Sequence, residues 1–525
     1  MTLKPSRATL RRPSAGVQQF DLAYRQQYRA FADGMWLPVD FHIAIDMELG
    51  LTGLQFPYMR RDIIQRLSAY RVNQVLPDSL FGRKQIEEPT RTEEDSLFTH
   101  FQDAVPLSSE ERQAFAEIDS SVSLLEAFKP SGFLARFMPA PMPAEASDQA
   151  TNPWRLTPSV RANRVDAAYL GGEVERTLSE SLDARLQGGY SAGHSRWAYG
   201  GGLQAKSVDG TLSLDVAYQS DVSTRYRSHN FGRGFNSVQV LLGADDYFDY
   251  LWNRRLSTEL RLGSAAHDLV FAFGLQGEEH RSLRVSSDAD PLGLYDSQRP
   301  NPPIEAGSLR SLSLSLEHGK AYRPWSLFAY RRVRAQAEYA KDVLGGDFDF
   351  AQYQVIVDWH LRTILKRRSP PNALDLRFVA STASGDLPVQ RFVALDARGG
   401  LFSPFGGFRS LRDGPYEGER SVAVFWEQYL RTIPFEVLGL QSLADRGIGL
   451  ILHGASGRTW IGRHKRQKLG FDPTYATSFH HEAGVSLILS HILRIDVVRR
   501  IDRAEWSVGM SLARLDFFDG SADRP

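Results

Sequence analysis

The chain has 525 residues, with 62 Lys+Arg against 62 Asp+Glu, no cysteine and a mean hydropathy of −0.33. That length calls for more than one structural unit, and zero net charge gives no electrostatic argument for nucleic acid. The lack of Cys excludes disulfides, thiolate nucleophiles and Cys-based metal sites, and no run of about 18 or more apolar residues is present to make a transmembrane helix.

Residues 1–19 carry positive charge without the apolar stretch of a signal peptide and are read as an unstructured N-terminus. An exported chain needs such a peptide, so for an envelope protein a truncated or misassigned start is expected. Residues 20–135 are expected to form a small α+β domain. Val39, Phe41, Ile43, Ile45, Met47 and Leu49 alternate with Asp40, His42, Ala44, Asp46 and Glu48, the pattern of a strand. More strand-like text follows over 61–73. Ser108 with Glu111 reads as a capping box, and Phe115, Ile118, Val122 and Leu125 then recur at helical spacing. Residues 136–158, rich in Pro and Ala, are expected to be a linker.

From about residue 159 to 518 the text alternates apolar and polar, with no long amphipathic helix, and a tail of 519–525 follows. In one stretch Tyr353, Val355, Val357, Trp359 and Leu361 share a face, and Gln352, Gln354, Asp358, His360 and Arg362 share the other, Ile356 being the exception. A soluble strand hides its apolar face in a core, whereas a membrane barrel turns it to lipid and keeps its polar face in a wet lumen. Both have a period of two. Repetition without intervening helices favours the barrel. The fold class expected is mainly β: an antiparallel transmembrane β-barrel of about 16 strands. If Asn163 starts a strand rising from the periplasm, this count puts the long connectors 226–251 and 284–307 on the periplasmic side, where barrels keep turns short. Either the count is off or those segments fold, with Asp245, Tyr247 and Tyr250 as candidates for a short helix.

Residues 408–431, FRSLRDGPYEGERSVAVFWEQYLR, resemble the sixth-loop segment of the bacterial surface-antigen superfamily, the barrel of outer-membrane insertases. Phe408, Arg409, Ser410 and Leu411 fall on the family's apolar-Arg-Gly-aromatic pattern, with Ser410 in place of Gly and Leu411 in place of the aromatic. Gly418, Glu419 and Arg420 fall on its turn, and Glu427 on its strand Glu. Asn163-Arg164-Val165-Asp166 followed by Leu170-Gly171-Gly172 is similar to the first barrel strand of an uncharacterised subfamily. That subfamily usually carries an N-terminal carboxypeptidase-regulatory-like domain, absent here. Trp36-Leu37-Pro38, Pro106-Leu107 with Glu110-Glu111, and Asp119-Ser120 are similar to its pre-barrel region.

The resemblance implies a loop folded back into the lumen, with Arg409 meeting acids on the wall. Alternation on the following strand puts Glu427 inside with Ser421, Ala423 and Phe425, while Val422, Val424 and Trp426 face lipid. A buried guanidinium requires such partners. It also implies a seam between first and last strands, near Asn163–Arg176 and Trp506–Phe518, through which a client enters. The expected role is envelope biogenesis in the outer membrane: inserting or translocating a protein or lipid. The alternatives are a passive pore or transporter, and a soluble all-β protein or hydrolase.

The expected partners are the lipid bilayer, lipopolysaccharide and an unidentified client, with no nucleic acid. Arg463, Lys465, Arg466 and Lys468 are candidate contacts to lipid phosphate, or else a solvated loop. No catalytic, cofactor or metal site is expected. Gly189-Tyr190-Ser191-Ala192-Gly193 matches G-x-S-x-G but lacks the following helix that a nucleophile elbow requires. His480-His481, adjacent on a strand, point to opposite faces and poorly suit one metal. Gly232-Arg233-Gly234 reads as a turn.

Overall fold

The computed structural model describes residues 6–9, 17–30, 35–51, 54–55, 59–67 and 154–512, the last without 242, 265–267, 287–297, 320–329, 365–371, 401, 413, 447 and 490–492. The chain divides into two units, Met1–Ala146 and Ser147–Pro525.

In the first unit, β1 (Ser6–Thr9), β2 (Val17–Ala30), β3 (Trp36–Leu51) and β4 (Leu54–Gln55) form an antiparallel sheet in that order, and β5 (Met59–Arg66) pairs with β3. The alternation at Val39–Leu49 thus forms a strand, as its period requires. The expectation of an unstructured 1–19 is corrected: β1 lies within it and pairs with residues 21–24 of β2, and β2 itself begins at Val17, in register with β3. The helix expected after Ser108 lies outside the described residues.

The second unit contains a 16-stranded antiparallel sheet in which neighbours in sequence are neighbours in space. Its strands are β6 (Trp154–Asn163), β7 (Ala167–Ser179), β8 (Leu182–Ser191), β9 (Arg196–Lys206), β10 (Leu212–Thr224), β11 (Tyr250–Ser264), β12 (Leu269–Ser282) and β13 (Gly307–His318). They continue as β14 (Tyr330–Ala340), β15 (Phe350–Arg362), β16 (Ala373–Gly385), β19 (Arg420–Arg431), β20 (Gly449–Trp460), β21 (His480–Leu489), β22 (Leu493–Arg500) and β23 (Glu505–Leu512). A small ribbon, β17 (Val393–Leu395) with β18 (Tyr416–Gly418), lies in the connector between β16 and β19.

Burial is inverted relative to a soluble protein. On β15 the apolar Tyr353 and Trp359 are 54% and 44% exposed, while Asp358 and His360 on the other face are 6% and 7% exposed. The same holds around the sheet. Leu186, Trp197, Leu256, Leu314 and Val508 face out; Asp221, Glu278, Glu338, Asp375, Glu427 and Asp496 are buried inside. A sheet with an apolar exterior and a polar, paired interior is a barrel wall of the membrane type.

The first strand is β6, which ends at Asn163. The expected linker over 154–158 and the barrel start at 159 are corrected accordingly, and 164–166, expected within the first strand, is a turn. Asn163 makes that turn by accepting the amides of Val165 (2.9 Å) and Asp166 (2.7 Å) on its Oδ1. Moving the start by one strand reverses every parity downstream. Connectors 225–249, 283–306, 386–419 and 461–479 therefore share one end of the barrel, here the loop end, with the turn at 164–166. The puzzle of long connectors on the short-turn side disappears. At the opposite, turn end, connector 432–448 holds two short helices, α2 (Ile433–Val437) and α3 (Gln441–Asp445).

Connector 225–249 does contain a helix, but not at Asp245–Tyr250. It is α1 (Arg233–Leu241), so Gly232-Arg233-Gly234 is a helix start rather than a turn. Tyr250 opens β11 instead. At the loop end, Tyr226, Phe231, Tyr247 and Phe248 belong to one buried apolar cluster, and Leu309, Phe350, Leu387 and Phe392 to another. The filling is lopsided. Inward residues of β16 and β19–β22 are buried along the strands, whereas Glu175, Gln204 and Ser315, nearer the turn end of β7–β13, and Gln187 at mid-strand are half-exposed.

Candidate functional site

Counting from β6, connector 386–419 is the sixth at the loop end, and it runs into the lumen against the inner wall of β19–β22. Registered pairing sets that wall in rows: Glu427 beside His453 beside Gly484 beside Val498, and Phe425 beside Ala455 beside Glu482 beside Arg500. Small residues open it. A Cβ on Gly457 would stand 2.9 Å from the Phe408 ring, and one on Gly484 2.6 Å from His453. Phe408 fills the space so made, against Phe425 (5.2 Å), Tyr416 (5.8 Å) and His480 (4.4 Å between ring centroids).

Arg409 follows and donates from Nη2 to Glu427 Oε1. Glu427 also accepts Arg494 Nη1 at 3.0 Å and Tyr429 Oη at 2.5 Å, and Arg494 Nε lies 2.9 Å from Asp496. Two guanidiniums and two carboxylates thus balance in a buried quartet, with both arginines supplied with hydrogen-bonded partners. The backbone of the loop is held as well. The amides of Arg409 and Ser410 donate to the two oxygens of Glu482, at 2.8 and 3.0 Å, and Ser410 Oγ donates to Glu482 Oε2 at 2.6 Å. Ser410 therefore adds a side-chain bond to the wall.

Ser410, His480 and Glu482 invite comparison with a nucleophilic triad. Ser410 Oγ and Glu482 both approach His480 Nε2, at 2.9 and 3.2 Å, while Nδ1 faces Tyr416 Oη at 3.0 Å. A triad needs its carboxylate on the ring nitrogen opposite the nucleophile, so this cluster anchors the loop and makes no relay. Ser191 of the G-x-S-x-G stretch ends β8 and leads into a turn and then β9, without the helix of a nucleophile elbow. Among the described residues no group of three or more His, Asp or Glu is arranged to hold a metal ion.

The other predicted loop residues are spread along the same connector. Leu411 is buried in the larger apolar cluster. Gly418 closes β18, and Glu419 makes the bend into β19, its amide bonded to Trp460 O and its carboxylate to the Gly462 amide. Arg420 is exposed at the first position of β19.

A second anchor ties the sixth loop to connector 225–249. Arg225 donates to both oxygens of Glu417, at 2.5 and 2.7 Å, and to Asp249. Asp249 also meets Arg164 and Arg299, each at 2.6 Å. Burial alone would raise the Asp249 carboxyl, but the guanidiniums of Arg299, Arg225 and Arg164 outweigh it and hold the group at about 2. Asp396 accepts Tyr247 Oη (3.0 Å), the His229 amide (3.0 Å) and Asn230 Nδ2 (2.8 Å). Among the described residues no cation pairs with it, and burial pushes it up to about 6.

Sequence patterns did not point to Asp249, Asp396, Glu417, Glu482 or Arg494. Glu482 and Arg494 carry a usable signal, as inward positions on alternating strands; the loop acids carry none. The basic run divides. α4 (Arg463–Lys468) exposes Arg463 and Lys468, while Arg466 lies against Tyr475. Lys465 is corrected as a lipid contact: it is buried and paired with Glu305 at 2.7 Å and Asp386 at 2.8 Å.

No protein-family model matches the chain, and no curated protein does. Among solved structures it is similar to BamA from Haemophilus ducreyi lacking POTRA domains 1–3, at 13% identity, covering 69% of this chain and 70% of that one with a TM-score of 0.40. It is similar also to CdiB from Acinetobacter baumannii, at 12% identity over 69% of this chain and 60% of that one, TM-score 0.34. A third is OccK9 (OpdG) from Pseudomonas aeruginosa, at 12% identity over 94% of each chain, TM-score 0.28. Likenesses this distant say nothing of what this barrel does.

Proposed function

We propose that this chain is an outer-membrane β-barrel acting in envelope biogenesis, in the insertion or translocation of a protein or lipid. The observation that carries the membrane reading is the inverted burial of strands such as β15, which in water would expose Tyr353 and Trp359 while drying Asp358 and His360. Two features support a route along the wall over a route through it. The loop end is filled by buried apolar clusters and by the sixth loop, and β6 and β23 share no hydrogen-bonded ladder among the described residues. The half-exposed lumen over β7–β13 favours a second reading, a solute pore gated by the sixth loop.

Fractionation with a gel of boiled and unboiled samples tests the first step. A soluble chain with no mobility shift sinks both membrane readings. Planar-bilayer recording then separates them: insertion or translocation along the seam requires no steady open conductance, and a stable open channel in the intact protein selects the pore. On this reading Arg463, as a fork, and Lys468, as a point charge, meet lipopolysaccharide phosphate at the outer leaflet.

A further inference from the structure

The edges of β6 and β23 are the sheet's two ends, and each is capped by a different connector. On β6 the edge carries Pro158. A proline has no N–H for a ladder and is confined to edges or bulges. Ala162, at the same parity, sends its amide away from β7 to Ser237 Oγ of α1, at 3.1 Å. Pro158 therefore turns its donor-less nitrogen toward the open edge, where it weakens strand pairing.

On β23 the open edge is taken by the sixth loop. Gly399 and Phe402 exchange backbone hydrogen bonds, each at 2.9 Å, making a tight hairpin tip. The next amide, Ser403, donates to Met510 O at 3.0 Å, and Arg398 Nη1 donates to Val508 O at 3.1 Å. Carbonyls two apart on an antiparallel strand point the same way, so both acceptors belong to the outer edge of β23.

The two caps then meet. Phe235 of α1 contacts Phe402 edge-on at 5.3 Å, and Gln239 Nε2 donates to Gly399 O at 2.6 Å. We propose that α1 and the 398–403 tip form a latch that closes the seam between first and last strands in place of strand pairing. The barrel's closure at this line is then set by two loop elements, and can be undone without breaking any β-ladder. This does not depend on what the barrel moves.

The absence of native Cys allows paired spin labels on the full chain. One pair replaces the outward Val160 of β6 and Val508 of β23; a control pair replaces the outward Leu256 of β11 and Tyr353 of β15. The variant Arg398→Ala/Phe402→Ala should lengthen and broaden the seam distance distribution and leave the control distribution unchanged. A seam distribution that does not move overturns the proposal. So does equal broadening of both pairs, because the loop then braces the whole barrel rather than the seam. If the double variant does not fold, Phe402→Leu and Gln239→Leu remove parts of the same contact. Each should broaden the seam pair to a smaller extent, and no broadening in either is again contrary.

Discussion

At the scale of residues, Glu427 carries more of the loop's anchoring than Arg409, although the sequence draws the eye to the arginine. Removing Arg409 leaves Glu427 still facing Arg494. Removing Glu427 leaves two buried guanidiniums sharing Asp496, and breaking a buried pair in this way costs about 3–5 kcal/mol. Glu427→Ala should therefore lower the unfolding midpoint more than Arg409→Ala, read by denaturant titration of the unboiled gel band. Equal losses would mean that the quartet is not the anchor. Asp396 makes a pH-dependent contribution. Its folded value of about 6 lies above the ordinary carboxyl value of 3.8, so the folded state holds the proton more tightly. The stability this gives is fully present below about pH 4 and is lost as pH rises through about 6. Asp396→Asn should flatten that part of the stability-against-pH curve, and an unchanged slope would place the proton elsewhere. The Arg409–Glu427 contact was legible only in part: strand alternation fixes which side Glu427 faces, whereas a partner in Arg409 was implied by the resemblance of residues 408–431 and by no spacing. Asp396 was not, because a loop acid becomes unusual only when folding buries it away from any cation.

At the scale of elements, period-two patterning was enough to find most strands and to assign their faces, as β15 and β19 show. It failed at boundaries, where composition competes with pairing. The Pro and Ala of residues 136–158 read as linker text, yet Pro158 belongs to β6 because an edge strand tolerates it. α1 was missed for a related reason: nine residues with Gly234 in the first turn and Gly232 just before it give little helical signal, and packing against β6 supplies what propensity does not. The alternation on β15 makes a direct prediction. Val357→Arg puts a charge on the lipid face in mid-strand, at a cost of about 2–4 kcal/mol in a bilayer. Gln354→Arg puts the same charge in the lumen. The first should reduce the fraction of heat-modifiable, membrane-assembled protein and the second should leave it near that of the unaltered chain. Equal tolerance of the two would contradict a lipid-facing exterior.

At the scale of the whole molecule, the number of strands was countable from their repeated sentence, but the way the barrel is filled was not. Filling depends on contacts such as Arg225–Glu417 and Tyr247–Asp396, between connectors more than a hundred residues apart, and no local pattern reports them. The outcome is an interior in two regimes. The β19–β22 wall is dry because the sixth loop lies on it, and Ser421 and Ser486 there are 3% and 0% exposed. The β8–β14 wall is wetter: Gln204 near the turn end and Gln187 at mid-strand are half-exposed, and Gln336 on β14 is exposed. Single cysteines at these five positions, in a chain that otherwise has none, convert the difference into a labelling rate. A charged, water-soluble maleimide added to the folded protein should modify the three glutamine positions readily and the two serine positions only after denaturation. Arg409→Ala combined with Arg494→Ala should then make Ser421→Cys and Ser486→Cys reactive without changing Gln204→Cys, because it releases the loop from one wall while the strands stay paired. Reactivity at all five positions in the otherwise intact chain would mean that the loop visits the wall only transiently, and that the lumen is open for much of the time.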